Sequence, residues 1–244
     1  TLMNKDLIQK RFAKHLETYN ENAKVQKKMA QKLISLLDKK EYKSILEIGC
    51  GTGLLTELVN QNITFSKYKA NDIVEDCIGF ITQINPNIDF VAGDIEEFIK
   101  TSDEKYDLII SNAAFQWVDD LEKFIEKLTQ KLHPNGVLLF STFGKENFRE
   151  IFFISGKTLP YYSASEIETM FSKYNPTIEQ EVHLLAFKTP KDILKHFQLT
   201  GVNSIEATSW TKSDMSKFEK NYNNLCFHSP TLTYNPIYVK IFKK

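Results

Sequence analysis

Within this 244-residue chain, Glu47-Ile48-Gly49-Cys50-Gly51-Thr52-Gly53 is the segment best suited to hold a ligand. It follows a short apolar run and precedes a helical one, so it reads as a strand-to-helix turn. Gly49, Gly51 and Gly53 lack a Cβ and let the backbone turn sharply and approach a bound molecule closely. The helix that follows would offer free N–H groups beside them. Two ligand classes use such a turn. A dinucleotide fingerprint, G-x-G-x-x-G, needs Gly or Ala at position 54, where Leu54 stands. Glu47, two residues before Gly49, would repel a pyrophosphate but suits a ligand carrying an ammonium group and a sulfonium. The spacing favours S-adenosylmethionine (SAM) over a nicotinamide dinucleotide.

Two further carboxylates follow. Asp72 ends the second β-like run, where a doubly wound fold places an acid to accept both ribose hydroxyls. Asp94 follows the third run and could accept from an adenine amino group, with Ile73 and Ile95 on either side of the ring. Either aspartate alone is equally readable as a helix N-cap. Together, at successive strand ends, they argue for a nucleoside. After the fourth run, where the strand end would face the methyl group, comes Ser111-Asn112-Ala113-Ala114-Phe115-Gln116-Trp117. Methylases of adenine or glutamine nitrogens carry Asn/Asp-Pro-Pro-aromatic at this place, so nitrogen methylation is disfavoured. Of Phe115 and Trp117, at least one reads as plain core. The five histidines show no ligand spacing, no metal is expected, and no Ser/His/Asp or Cys/His arrangement stands out.

Positioning these groups requires an α/β fold with a doubly wound, mostly parallel sheet. β-like runs at Ser44–Ile48, Tyr68–Ile73, Ile88–Ala92, Tyr106–Ser111 and Gly136–Phe143 alternate with helical segments at Leu54–Asn60, Glu75–Ile84, Ile95–Lys100 and Leu121–Leu132. Pro134-Asn135-Gly136 is expected to turn the last helix into the fifth strand. Helices are expected at Asn147–Ser155, Ser165–Tyr174, Pro190–Leu199 and Ser213–Asn221, and single strands at Thr177–Phe187 and Leu232–Phe242. The first forty residues read as two amphipathic helices separated by Asn20-Glu21-Asn22. Net charge is zero, which argues against a nucleic-acid surface, and no apolar run approaches a membrane span. Residues 1–43 nevertheless carry 11 Lys/Arg against 5 Asp/Glu. That bias reads either as a solvated helix pair or as a docking face for an acidic partner. Three widely spaced cysteines, Cys50, Cys77 and Cys226, point to a reducing, cytoplasmic setting.

Several segments resemble the malonyl-carrier-protein O-methyltransferases of biotin synthesis, members of the class I SAM-dependent superfamily. They are Arg11-Phe12 with Thr18-Tyr19, Ala23, Val25-Gln26 and Met29-Ala30; Glu47–Gly53; Ala92–Glu96; Ser111–Trp117; Phe140–Gly144 with Glu150; Thr200–Asn203; and Leu232–Tyr234. The likeness runs almost the full length. It implies a seven-stranded, Rossmann-like sheet in one domain, with residues 1–43 as a helical lid, 44–143 as the cofactor core and 144–244 as a substrate cap with the last strands. It implies a SAM site made by Tyr19, Gln26, Glu47, Gly49, Cys50, Gly51, Gly53, Asp72, Ile73, Asp94, Ile95, Ser111, Asn112 and Gln116, with S-adenosylhomocysteine (SAH) as product. It further implies methylation of the free carboxylate of a malonyl thioester, on acyl carrier protein or coenzyme A, to prime pimeloyl synthesis. A carboxylate is ionised at neutral pH, because carboxyl groups titrate near about 4, so no general base is required. Tyr19, Gln116, Trp117 and Arg149 are the candidates to position it, with Arg11 beside them. The similar trans-aconitate methyltransferases give the alternative acceptor, another small carboxylic acid.

Overall fold

The computed structural model describes residues 9–10, 12–156, 158–200, 212–226 and 229–244. After an N-terminal helical stretch the chain runs α1 (Leu16–Asn22), α2 (Lys24–Ser35), β1 (Glu41–Ile48), α3 (Leu54–Asn62), β2 (Thr64–Asp72), α4 (Ile78–Ile84) and β3 (Asp89–Ala92). It continues through α5 (Ile95–Thr101), β4 (Tyr106–Ser111), α6 (Leu121–Gln130), β5 (Leu132–Phe143), α7 (Arg149–Ser155) and α8 (Ala164–Met170). It ends with β6 (Thr177–Gln180), β7 (His183–Ala186), α9 (Pro190–Thr200), α10 (Lys212–Leu225), β8 (Thr231–Tyr234) and β9 (Pro236–Phe242).

Seven strands form one sheet in the order β3-β2-β1-β4-β5-β9-β6, parallel except for β9. Ile45, Leu46 and Ile48 of β1 are buried on both faces, as expected of a central parallel strand under two helix layers. One layer packs Met29, Leu33, Leu55, Val59 and Ile81 of α2, α3 and α4 against Ile45, Leu108 and Leu139. The other packs Phe124, Ile125, Leu128 and Ile167 of α6 and α8 against Leu46, Ile109 and Leu138. In α6, Leu121, Phe124, Ile125 and Leu128 recur at helical spacing, and Asp120 caps the helix by accepting the Lys123 N–H at 3.1 Å. Among the described residues, no helix is long and apolar enough to cross a membrane.

Four expectations need correction. The break between the first helices falls at Ala23, with Asn20-Glu21-Asn22 still inside α1. Pro134-Asn135-Gly136 does not precede the fifth strand but interrupts it. Tyr106 pairs with Leu132 and Leu108 already with Val137, so the extra residues loop out, with Asn135 at φ +63°. The stretches Thr177–Phe187 and Leu232–Phe242 each divide, because β7 and β8 leave the main sheet and pair with one another.

Asn235 makes that division. It is fully buried between β8 and β9, and its Oδ1 accepts from the Glu146 N–H (3.2 Å) and the Gln180 amide (3.1 Å). Its Nδ2 donates to the Glu181 carbonyl (2.8 Å), and its N–H donates to Asn147 Oδ1 (3.1 Å). One amide thus takes over hydrogen bonds that a continuous ladder would have made. Asn235→Leu removes the side-chain partner of the Glu146 N–H, the Gln180 amide and the Glu181 carbonyl, all part-buried. It is expected to cost about 2–4 kcal/mol in chemical denaturation.

Candidate active site

A cavity opens at the C-terminal ends of β1, β2 and β4, the crevice where open α/β sheets bind ligands. Its floor is the glycine turn. Gly49 and Gly51 adopt φ of +69° and +53°, and a Cβ on Gly49 would stand 2.6 Å from the Ala114 Cβ. The turn is held by the end of β2: the N–H groups of Gly49 and Cys50 donate to the Asn71 carbonyl at 2.9 and 3.0 Å. Asp72 accepts the Gly51 N–H through Oδ2 (2.8 Å) and the Val74 N–H through Oδ1 (2.9 Å). The N–H groups of the turn itself are thus already committed. A turn so tied presents few donors to a pyrophosphate.

Acids line the cavity instead. Glu47, Asp72, Asp94 and Glu96 face it, and among its described lining residues there is no Lys, Arg or His. Glu47 is 1% exposed, and its Oε2 accepts from Thr56 Oγ1 (2.7 Å) and from the Tyr68 hydroxyl. Burial pushes its carboxyl up to about 7, against the pull of those two donors. Burial also raises Asp72, opposed by its backbone partners, and the Cys50 thiol, so Cys50 is no ready nucleophile. Asp94 both lines the cavity and caps α5, accepting the Glu96 N–H at 2.9 Å. Ile73 and Ile95 stand beside the two aspartates on its wall.

The sign of the Glu47 shift sets a pH dependence. The folded carboxyl holds its proton to about pH 7, whereas an unfolded one releases it near about 4.3. Stability of the ligand-free protein therefore falls as pH rises through that window, by about 3–4 kcal/mol in all. Glu47→Gln is expected to remove most of this slope when unfolding midpoints are compared at pH 5 and pH 8. An unchanged slope would contradict the assignment.

The N-terminal helices close the cavity from above. Gln9 donates to the Ile73 carbonyl (2.8 Å), and Thr52 donates to Asn20 Oδ1 (2.5 Å). Phe12 packs edge-on to Tyr19 and reaches within 3.1 Å of where a Gly51 Cβ would lie. Tyr19 and Gln26 line the wall, and the buried Gln26 Oε1 has no partner among the described residues. Asn112 joins this lid to the sheet, donating to the Gln26 carbonyl (2.9 Å) and accepting from Ser141 Oγ (2.7 Å). Ser141 in turn accepts the N–H of Ala113, which sits at φ +53°.

Of the residues singled out in the sequence, Tyr19, Gln26, Glu47, Gly49, Cys50, Gly51, Asp72, Ile73, Asp94, Ile95, Asn112, Gln116 and Trp117 come together on this one cavity. Three do not. Ser111 turns inward and donates to the Ile48 carbonyl at 2.8 Å. Gly53 starts α3 at φ +85°, and a Cβ there would meet Ile84, so α4 rather than a ligand demands the glycine. Arg149 heads α7, pairs with Glu146 at 3.1 Å and lines neither this cavity nor its neighbour. Arg11 and residues 201–203 lie outside the described residues. Phe115 is the core member of its pair, packed on Phe124 and Phe140. Gln9, Thr52, Asn71, Phe143 and Thr200 also line the cavity. Thr52 and Asn71 adjoin the turn and Asp72, whereas Gln9, Phe143 and Thr200 arrive from elements distant in sequence and no local spacing announces them.

A seven-stranded sheet with one antiparallel strand and an acid-lined glycine turn defines the class I SAM-dependent methyltransferases. A family model described as a methyltransferase domain matches residues 19–181. Across 95% of its length the chain is 41% identical to the malonyl-[acyl-carrier protein] O-methyltransferase of Calditerrivibrio nitroreducens, covering 94% of that relative. The enzyme of the same name from Chlorobium luteolum is 34% identical, with 100% of this chain and 97% of the relative covered. The chain belongs to the malonyl-[acyl-carrier protein] O-methyltransferase family. Solved structures share the fold. The N-methyltransferase NodS of Bradyrhizobium japonicum in complex with SAH superposes with a TM-score of 0.51 at 15% identity, covering 93% of this chain and 98% of its own. YcgJ of Bacillus subtilis gives 0.59 at 12% identity, covering 89% and 98%.

Proposed function

We propose that the protein transfers the methyl group of SAM to the free carboxylate of a malonyl group carried as a thioester on acyl carrier protein. The product is the methyl ester that primes pimeloyl synthesis for biotin, made in the cytoplasm. One observation carries the choice of acceptor chemistry: the segment after β4, Asn112 to Val118, brings only neutral side chains to the cavity. An alcohol or amine acceptor would need a base there to take its proton. A carboxylate arrives already ionised.

Bound SAM supplies a methyl group on positively charged sulfur. The residues present fit such a group, since the glycine turn leaves no Cβ in the cradle and the lining acids favour a cation. Asp72 holds the ribose while pinning the turn. Asp94, Ile73 and Ile95 hold the adenine. Glu47, half-ionised in the free protein, sharpens to its charged form beside the amino-acid end. Gln26, with its unpartnered carbonyl, takes a donor from the ligand. Tyr19 and the lid exclude water, which strengthens every electrostatic contact below them. Catalysis then rests on alignment, which can account for about 7–11 kcal/mol of barrier.

The test is methyl transfer from labelled SAM to malonyl carrier protein, malonyl-CoA and trans-aconitate. Methyl ester on the carrier protein is expected, together with rescue of a biotin auxotroph lacking this activity. Transfer to aconitate alone would defeat the reading.

A further inference from the structure

A second, smaller cavity adjoins the first. The two share Phe115, Gln116, Val118 and Phe143, so a group leaving one wall enters the other. The second is lined further by Thr142, Tyr161 and Tyr162. Among its described lining residues there is no Lys, Arg or His, and its one carboxylate, Asp119, is exposed.

Its polar groups are neutral and partly idle. Tyr161 is 8% exposed, and its hydroxyl oxygen accepts from Asn147 Nδ2 at 3.1 Å. The phenolic proton therefore points to no acceptor among the described residues. Asn147 is itself fixed, because its Oδ1 accepts the Asn235 N–H at 3.1 Å. Thr142, 4% exposed on β5, makes no side-chain hydrogen bond among the described residues. Gln116 spends one amide hydrogen on the Ala113 carbonyl (2.6 Å) and keeps the other to donate, while its buried Oε1 has no partner among the described residues. The Tyr161 proton and the Thr142 hydroxyl are therefore available to donate to a ligand.

We propose that this second cavity binds the acceptor's terminal carboxylate, held by the Tyr161 hydroxyl with Thr142 and Gln116 as its companion donors. The proposal rests on the carboxyl-methylating reading above and assigns the acceptor's subsite within it. Neutral donors suit the chemistry better than an arginine fork. A carboxylate that accepts a methyl group from a cationic donor loses its charge on the way. A fixed cation beside it would stabilise the starting anion more than the transition state and slow the transfer. Hydrogen bonds from hydroxyls and an amide hold the anion with less of that penalty. The same logic accounts for Arg149 lying outside both cavities.

Tyr161→Phe keeps the ring and removes the donor. Titrated with malonyl carrier protein in the presence of SAH, where no reaction occurs, this variant is expected to bind about 10-fold to 100-fold more weakly than wild type. SAH affinity should stay within twofold, and KM for the carrier protein should rise by a like factor. Thr142→Val, a near-isosteric change, is expected to move the same two readings in the same direction. Unchanged carrier affinity in both variants, with wild type active on malonyl carrier protein, would overturn this subsite and leave the proposed function standing. Wild-type inactivity on malonyl carrier protein would overturn both.

Discussion

Asp72→Ala is expected to weaken SAM and SAH binding by about 100-fold or more. Asp72 is 6% exposed and spends one oxygen on the Gly51 N–H and the other on the Val74 N–H. Each bond to a charged carboxylate contributes about 1.5–3 kcal/mol. Alanine removes both acceptors, releases the glycine turn and deletes the group proposed to take the ribose hydroxyls. Calorimetric titration with SAH measures the loss, and thermal unfolding reports whether the fold survives. Asp72→Asn can keep one backbone partner and should fall between the two. A folded alanine variant whose SAH affinity stays within threefold of wild type would remove Asp72 from the site.

Gly49→Ala is expected to lower kcat/KM by about 100-fold, the scale at which a displacement of about 1 Å disrupts aligned reactants. The new methyl would stand 2.6 Å from the Ala114 Cβ, and neither atom can rotate away. Either the turn or the Ala113–Gln116 segment must shift, and both line the cavity. The φ of +69° adds about 1–2 kcal/mol of strain for an L residue. Strain of that size lowers the melting temperature by about 2–8 °C in a domain of this length. Steady-state kinetics with scanning calorimetry separates the two consequences. Full activity would mean that the close approach of Gly49 to Ala114 is not needed.

What was legible in the chain is what local rules encode. The turn at Glu47–Gly53, the acids at two strand ends and the alternating strand and helix runs each fit within a short window. Strand periodicity and turn chemistry act there without help from the rest of the molecule. The same locality misled at Ser111 and Gly53. Both sit in the right window, but one faces the Ile48 carbonyl and the other faces Ile84.

The remainder was decided by contacts between distant segments. Asn112 reaches the Gln26 carbonyl 86 residues away, and Asn235 reaches Glu146 across 89. Asn235-Pro236 is a local signal for a break in Leu232–Phe242, because proline cannot donate to a ladder. The polar groups that Asn235 binds there arrive from β6, from the loop before α7 and from Glu181. In the same way the second cavity takes its lining from separate segments, with Gln116 after β4, Thr142 in β5 and Tyr161 before α8. The amino-acid sequence by itself determined the fold class and the floor of the cavity. Tertiary packing decided the lid, the walls and the acceptor's side, because burial and hydrogen-bond satisfaction are properties of the whole assembly and of no single window of chain.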